Sequence, residues 1–199
     1  NCHARGPGDD SFAIWSAPHG LGPCTGNVYR NCMAEAPWRA RCFAIFGGVD
    51  NRIENCLGRD TLTDSGLNLS SQFDAWPFGG TTVVKNLLLE RCGGWFWGNR
   101  PYGGIFFQAA KRDISGTILL EDVTVRDSSA AGISISNGES RLQNIILRNV
   151  QFDGVGDFGI DVFPQAVGEI LLENCSFELK GGAPLRQRSP QTFQIQNRK

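Results

Sequence analysis

One phrase recurs along this 199-residue chain and limits its fold more than any other feature. It reads VYRNC ending at Cys32, RIENC at Cys56, LLERC at Cys92, LLEDV at Val123, ILRNV at Val150 and LLENC at Cys175. The chain opens on NC, the tail of the same phrase. A second phrase follows each time: SFAIW (11–15), CFAIF (42–46), GLNLS (66–70), GIFFQ (104–108), GISIS (132–136) and GIDVF (159–163), with APLRQ (183–187) as a weaker seventh copy. Most copies lie roughly 25 residues apart, a period typical of stacked-repeat architectures. Both phrases alternate apolar and polar residues at period two, as half-buried strands do. No segment shows sustained helical periodicity with caps. A single turn of strand, bend and strand cannot enclose a core, whereas stacked turns share one. The expected fold is therefore all-β: a right-handed parallel β-helix of about seven coils. At about 4.8 Å per coil the stack would be about 34 Å tall. One domain is expected over 1–199, with 181–199 as a last coil, cap or tail.

The repeat assigns roles to otherwise puzzling residues. Cys2, Cys32, Cys56, Cys92 and Cys175 fall in one column completed by Val123 and Val150, a site for small apolar inward side chains. Stacked free thiols are expected there; Cys24 and Cys42 lie outside the column and are the remaining candidates for a bridge. Asn1, Asn31, Asn55, Asn149 and Asn174 form the next column, whose amides can bond one another and the bend backbone. Glu54, Glu90, Glu121 and Glu173, interrupted by Arg30 and Arg148, read as a solvated outward ladder. In the second phrase Ala13, Ala44, Asn68, Phe106, Ser134 and Asp161 are expected to point outward. The formal net charge of −1 gives no electrostatic reason to expect nucleic acid or an anionic membrane. No apolar run approaches the roughly 20 residues that span a bilayer. No CxxC or Cys/His cluster suggests a structural zinc; no cofactor is expected, and a structural calcium is left open.

The stretch GPGDDSFAIWS places two carboxylates, Asp9 and Asp10, at the bend entering the first second-phrase strand. Phe12 and Ile14 match the inward columns, so Ala13, Trp15 and Asp9 point out. Strict parity would send Asp10 inward, where a charge is costly; the Gly-Pro-Gly bend can rotate it to the same surface. Crowded carboxylates do not both ionise easily, so one pKa should rise. A raised acid beside an ionised base is what glycosidic hydrolysis requires. Aromatic residues surround this face. Trp15 and Phe46 share an outward column, SSQFDAWPFGG (70–80) carries Phe73, Trp76 and Phe78, and CGGWFWGNRPYGG (92–104) carries Trp95, Phe96, Trp97 and Tyr102. In glycine-rich loops beside a groove they are natural platforms for sugar rings, or they pack together to close a solenoid edge.

GDDSFAIWS, FAIFGGVDNRIENC, DTLTDSGLNLSSQFDAWPFGG and WGNRPYGGIFF, in that order over about residues 1–137, resemble the catalytic region of glycoside hydrolase family 87, which contains mycodextranases and α-1,3-glucanases. The resemblance implies a right-handed β-helix and endo-hydrolysis of α-glucan with inversion, with Asp9 and Asp10 among the catalytic carboxylates. It implies a further aspartate about one coil upstream, so the sequence is expected to be a fragment of a larger enzyme. Polysaccharide is the expected partner, with neither nucleic acid nor membrane, for a secreted monomer. The expected substrate contacts are Trp15, Phe46, Asp64, Phe73, Trp76, Trp95, Trp97 and Tyr102. Asp60 and Asp64 could bind a sugar hydroxyl or a cation, or cap the bend. Asp50 reads as a turn acid and His19 as a loop residue; His3 and Arg5 could tune the pair or be solvated. The competing readings are a non-catalytic polysaccharide-binding β-helix and a dextranase- or polygalacturonase-like enzyme. A polygalacturonase should line its groove with Lys and Arg, and the outward column above fits a neutral glucan better.

Overall fold

The computed structural model describes residues 1–96, 99–136 and 138–198. It is a β-solenoid of about seven turns without a helix among the described residues. Two parallel sheets run along its length. The first has eleven strands, among them His3–Arg5, Met33–Glu35, Arg52–Arg59, Thr81–Glu90, Thr117–Arg126, Leu142–Arg148, Gly168–Glu173 and Phe193–Arg198. The second has seven: Phe12–Trp15, Phe43–Phe46, Leu67–Ser70, Ile105–Gln108, Ala131–Ile135, Phe158–Val162 and Ala183–Gln187. All seven copies of the second phrase thus stand in one sheet, with Phe12, Phe43, Leu67, Ile105, Ile133, Ile160 and Leu185 in register. Between the sheets lies one continuous apolar core in which Phe43, Ile45, Leu67, Leu69, Ile105 and Phe107 are buried.

The first phrase needs one correction. Cys56 pairs with Leu87, not Cys92, so the column reads Cys2, Cys32, Cys56, Leu87, Val123, Val150 and Cys175, with Cys2 exposed at the first coil rather than enclosed. LLERC repeats the wording of its neighbours, but the strand runs ten residues from Thr81 and the sequence VVKNL occupies the phrase. Cys92 is instead buried beside Cys42. An added Cβ at Gly66 would meet Cys92 Cβ at 2.8 Å, and one at Gly58 would meet Cys42 Cβ at the same distance. A hydrogen bond with Cys92, with burial, pushes the Cys42 thiol well above its ordinary pKa. All seven cysteines are free.

The corrected register completes two ladders. Asn31, Asn55, Asn86, Asp122, Asn149 and Asn174 all turn the corner with φ between 50° and 54°, a conformation that Asn and Asp tolerate best among residues with a Cβ. Their amides bond coil to coil, Asn86 to Asn55 at 3.0 Å and Asn174 to Asn149 at 2.9 Å. The outward ladder, expected as glutamates interrupted by Arg30 and Arg148, differs at one position. Lys85 takes the place expected of Glu90, and the column alternates Arg30, Glu54, Lys85, Glu121, Arg148, Glu173, Arg198. Parallel in-register strands stack like on like, and like charges opposite one another repel. Alternation replaces that repulsion with ion pairs, at 2.7 Å for Lys85–Glu121 and 2.8 Å for Arg148–Glu173.

The column expected to face outward on the second sheet is covered. Ala13 is exposed, but Ala44, Asn68, Phe106, Ser134 and Asp161 are buried. Loops account for this. Ala75 of the 71–77 loop packs with Ala44 and Phe46. Tyr102 stacks on Phe106 at 4.2 Å between ring centroids, and Arg186 and Arg188 both reach Asp161. Among the described residues of this outward column, Ala13 on the first coil is the exposed one, and the face opens there.

Candidate active site

The opening is built by the Gly-Pro-Gly bend. Gly6 turns the corner with φ of 64°. Gly8 lies so close to Trp38 that an added Cβ would sit 3.1 Å from its ring, and Trp38 N–H donates to Pro7 C=O at 3.2 Å. The pinned bend delivers Asp9 and Asp10 to the edge of strand Phe12–Trp15. There they line a cavity of about 480 Å³ with Ala13, Trp15, Arg41, Phe46 and Phe73. Both carboxylates therefore reach one surface, as the rotated parity required. Asp9 is exposed, and its Oδ1 accepts Asp10 N–H at 2.9 Å. Asp10 also does the work of a backbone cap, since its Oδ1 accepts Arg41 N–H at 3.1 Å.

Arg41 is the residue the sequence reading missed. It stands two positions before Phe43, as Asp10 does before Phe12, so the repeat register itself puts the two side by side. Its side chain is nearly buried. Nη1 lies 3.5 Å from Asp10 Oδ1, and Nε lies 2.7 Å from Asp64 Oδ2. Asp64 has no exposed surface, and its Oδ1 accepts the Ser65 N–H at 2.6 Å and the Ser65 hydroxyl at 3.2 Å. Burial raises the Asp10 carboxyl above its usual pKa; Arg41 opposes this and neighbouring Asp9 adds to it. Burial pushes Asp64 further, to about 6, against the pull of Arg41.

The aromatic platforms divide. Trp15 and Phe73 are exposed at the cavity wall. Phe46 forms its back, buried, with its ring edge-on to Phe73 at 5.1 Å. Four of the expected contacts are placed elsewhere. Asp64 lies behind the floor, held by Arg41 rather than open to a sugar. Tyr102 is buried with its ring against Phe106, because its loop folds back over the second sheet. Trp95 is exposed but lines a separate hollow with Leu62, Arg91 and Ser129. Trp76 is exposed but is not among the cavity residues. Trp97 lies outside the described residues. Asp50 is a turn acid with φ of 55°, bonded to Thr81 N–H, and Asp60 is held by Arg91. His3 pairs with Glu35, and the His19 ring meets Trp15 edge-on. Among the described residues no group of three His, Cys, Asp or Glu side chains could hold a metal ion.

With this geometry in hand, comparison with known proteins is decisive for the family. The profile of the alpha-1,3-glucanase catalytic domain D2 matches residues 1–178. The chain belongs to that family. Among solved structures, the catalytic domain of a GH87 alpha-1,3-glucanase in complex with nigerose is 29% identical, with a TM-score of 0.87 over 99% of this chain. An aspartate-to-alanine variant of a GH87 alpha-1,3-glucanase catalytic domain in complex with tetrasaccharides has a TM-score of 0.88 at 29% identity. The catalytic unit of the thermostable GH87 alpha-1,3-glucanase from Streptomyces thermodiastaticus strain HF3-3 shares the fold at 23% identity, with a TM-score of 0.79 over 96% of this chain. The alanine variants solved with sugars include substitutions at two adjacent aspartates. The chain spans 40% of the first two relatives and 38% of the third. A search of curated proteins finds no match.

Proposed function

We propose that this domain cleaves α-1,3-glucosidic bonds in α-glucan, acting within the chain and inverting the anomeric centre, in a secreted monomeric enzyme that needs no cofactor. The observation that carries this is Asp9–Asp10, the one pair of adjacent aspartates in the sequence, facing a cavity walled by exposed Trp15 and Phe73. The adjacent aspartates substituted in sugar complexes of the relatives support the same pair. In an inverting displacement one carboxyl protonates the glycosidic oxygen as the C–O bond breaks. The other takes a proton from the water that attacks the opposite face of the ring. Trp15 and Phe73 offer apolar faces to neighbouring glucose units.

A polygalacturonase-like reading loses support for a new reason, since the buried outward column no longer bears on it. Among the described residues Arg41 is the one basic residue lining the cavity, and its charge is engaged by Asp10 and Asp64. The test is digestion of α-1,3-, α-1,4- and α-1,6-glucans and polygalacturonate by the intact protein, with NMR of the first anomer released. Oligosaccharides with a β-anomeric reducing end from α-1,3-glucan support the proposal. No hydrolysis of any polymer would leave a binding module, and release of galacturonate oligomers would overturn the substrate.

A further inference from the structure

Asp64 was expected to touch substrate, yet its carboxylate is sealed beneath the cavity floor. A buried acid beside a buried guanidinium is ordinary structural chemistry when the pair is alone. Here it is not alone. The Arg41 guanidinium lies between two carboxylates, with Nε on Asp64 Oδ2 at 2.7 Å and Nη1 3.5 Å from Asp10 Oδ1. The Arg41 backbone N–H holds the same Asp10 oxygen at 3.1 Å, so position and charge reach Asp10 through one residue. Ser65 fixes the opposite oxygen of Asp64 with two hydrogen bonds, which leaves Oδ2 in charge contact with Arg41 Nε, without a hydrogen bond between the two atoms.

We propose that Asp64 is a positioning residue for the aspartate pair: by sharing the buried Arg41 guanidinium with Asp10, it orients that guanidinium and sets how much of its charge Asp10 feels. With Asp64 ionised, one positive charge serves two carboxylates and Asp10 keeps its proton to higher pH. With Asp64 protonated, more of that charge falls on Asp10 and favours its ionised form. Among the described residues, the other charged or titratable groups facing this cluster are Asp9, which raises the Asp10 pKa, and Tyr102, whose hydroxyl feels both Asp64 and Arg41. The inference rests on the hydrolase reading for its consequence in turnover, but the coupling between the two aspartates is measurable without turnover.

Asp64→Asn in the intact protein is the direct test, because the amide keeps the shape and removes the charge. The Asp10 carboxyl, followed by carbon-13 NMR of aspartate-labelled protein, should titrate about one pH unit lower than in the unmodified protein. The limb of the pH–rate profile that matches Asp10 should move down with it. Binding of an α-1,3-linked tetrasaccharide should hold within about twofold. A variant that is merely less stable, with the Asp10 titration unmoved, overturns the proposal. Should the variant fail to fold, the unmodified protein still decides the matter. The Asp10 titration curve should carry a second inflection at the midpoint of Asp64, and a single independent curve for each refutes the coupling. If Asp10→Asn keeps full turnover while the two titrations are coupled, the hydrolase assignment of Asp10 fails and the shared guanidinium stands.

Discussion

Replacing Gly47 with alanine perturbs the cavity wall from behind. Gly47 follows strand Phe43–Phe46 with φ of 66°, and a Cβ built there would sit 1.7 Å from the carbonyl oxygen of Trp76. No side-chain rotation relieves an overlap with backbone, so the 71–77 loop must move. The left-handed conformation alone costs alanine about 1–2 kcal/mol, offset by about 0.4–1 from the stiffer unfolded chain. Forcing atoms into a packed site costs about 1–3 kcal/mol more. The net expectation is a loss of about 1–4.5 kcal/mol, read by urea unfolding of the intact protein. The displaced loop carries Phe73 away from Phe46 and Trp15, which it meets at 5.1 and 6.5 Å. Calorimetric binding of an α-1,3-linked tetrasaccharide should therefore weaken at least tenfold, about 1.4 kcal/mol. Gly22→Ala is the matched control, since nothing lies within 4 Å of its added Cβ, and it should change neither quantity. Wild-type stability and binding in Gly47→Ala would refute the seating of this loop against the second sheet.

Trp15→Ala and Phe73→Ala should each weaken tetrasaccharide binding by about 1–2 kcal/mol, part of what full burial of an aromatic face yields, while Trp95→Ala leaves it unchanged; equal losses for all three would spread the site beyond the cavity. Asp64 titrates near 6 in the folded protein against 3.8 ordinarily, so the native state binds the extra proton between those values and stability falls as pH rises through them. The effect is at most about 3 kcal/mol, and it should vanish from unfolding curves of Asp64→Asn between pH 4 and 7. Glu121 stands between Lys85 and Arg148 in the charge ladder. Glu121→Gln should cost at most about 1 kcal/mol and less in salt, and Glu121→Lys, which sets three positive charges in a row, should cost more.

The sheet that carries the site was legible residue by residue. Phe12/Phe43/Leu67 and their successors repeat with one inward pattern, and a one-residue slip would have exposed all of them. The other sheet was legible except at its fourth coil, where LLERC imitates a phrase that the structure builds from VVKNL. Periodicity could not separate these, because the strand there continues through the corner and both segments alternate. The alternation of charge across strands is the signal that would have decided it, since Lys85, unlike Glu90, puts a cation in register between Glu54 and Glu121 and pairs with Glu121. At the cavity, Asp9, Asp10, Trp15 and Phe46 follow from register and bend, while Phe73 arrives on the aromatic-rich 71–77 loop. Arg41 follows from the same register and was overlooked among the aromatics. The placement of Tyr102, Trp95 and Asp64 was not legible, because strand parity says which way a residue leaves a sheet but not whether a loop returns to cover it.

The most direct test of the central claim is turnover of α-1,3-glucan by Asp9→Asn and Asp10→Asn in the intact protein, with oligosaccharide binding measured beside it. Asparagine keeps the shape and some of the hydrogen bonding but cannot exchange the proton, and acid–base catalysis is typically worth 10²–10⁴-fold. Each variant should lose turnover on that scale while its unfolding curve and tetrasaccharide affinity stay close to those of the unmodified protein. Asparagine is itself a good turn residue, so if the two aspartates only shape the bend, both variants will hydrolyse α-1,3-glucan at the unmodified rate and the assignment of the pair will be wrong.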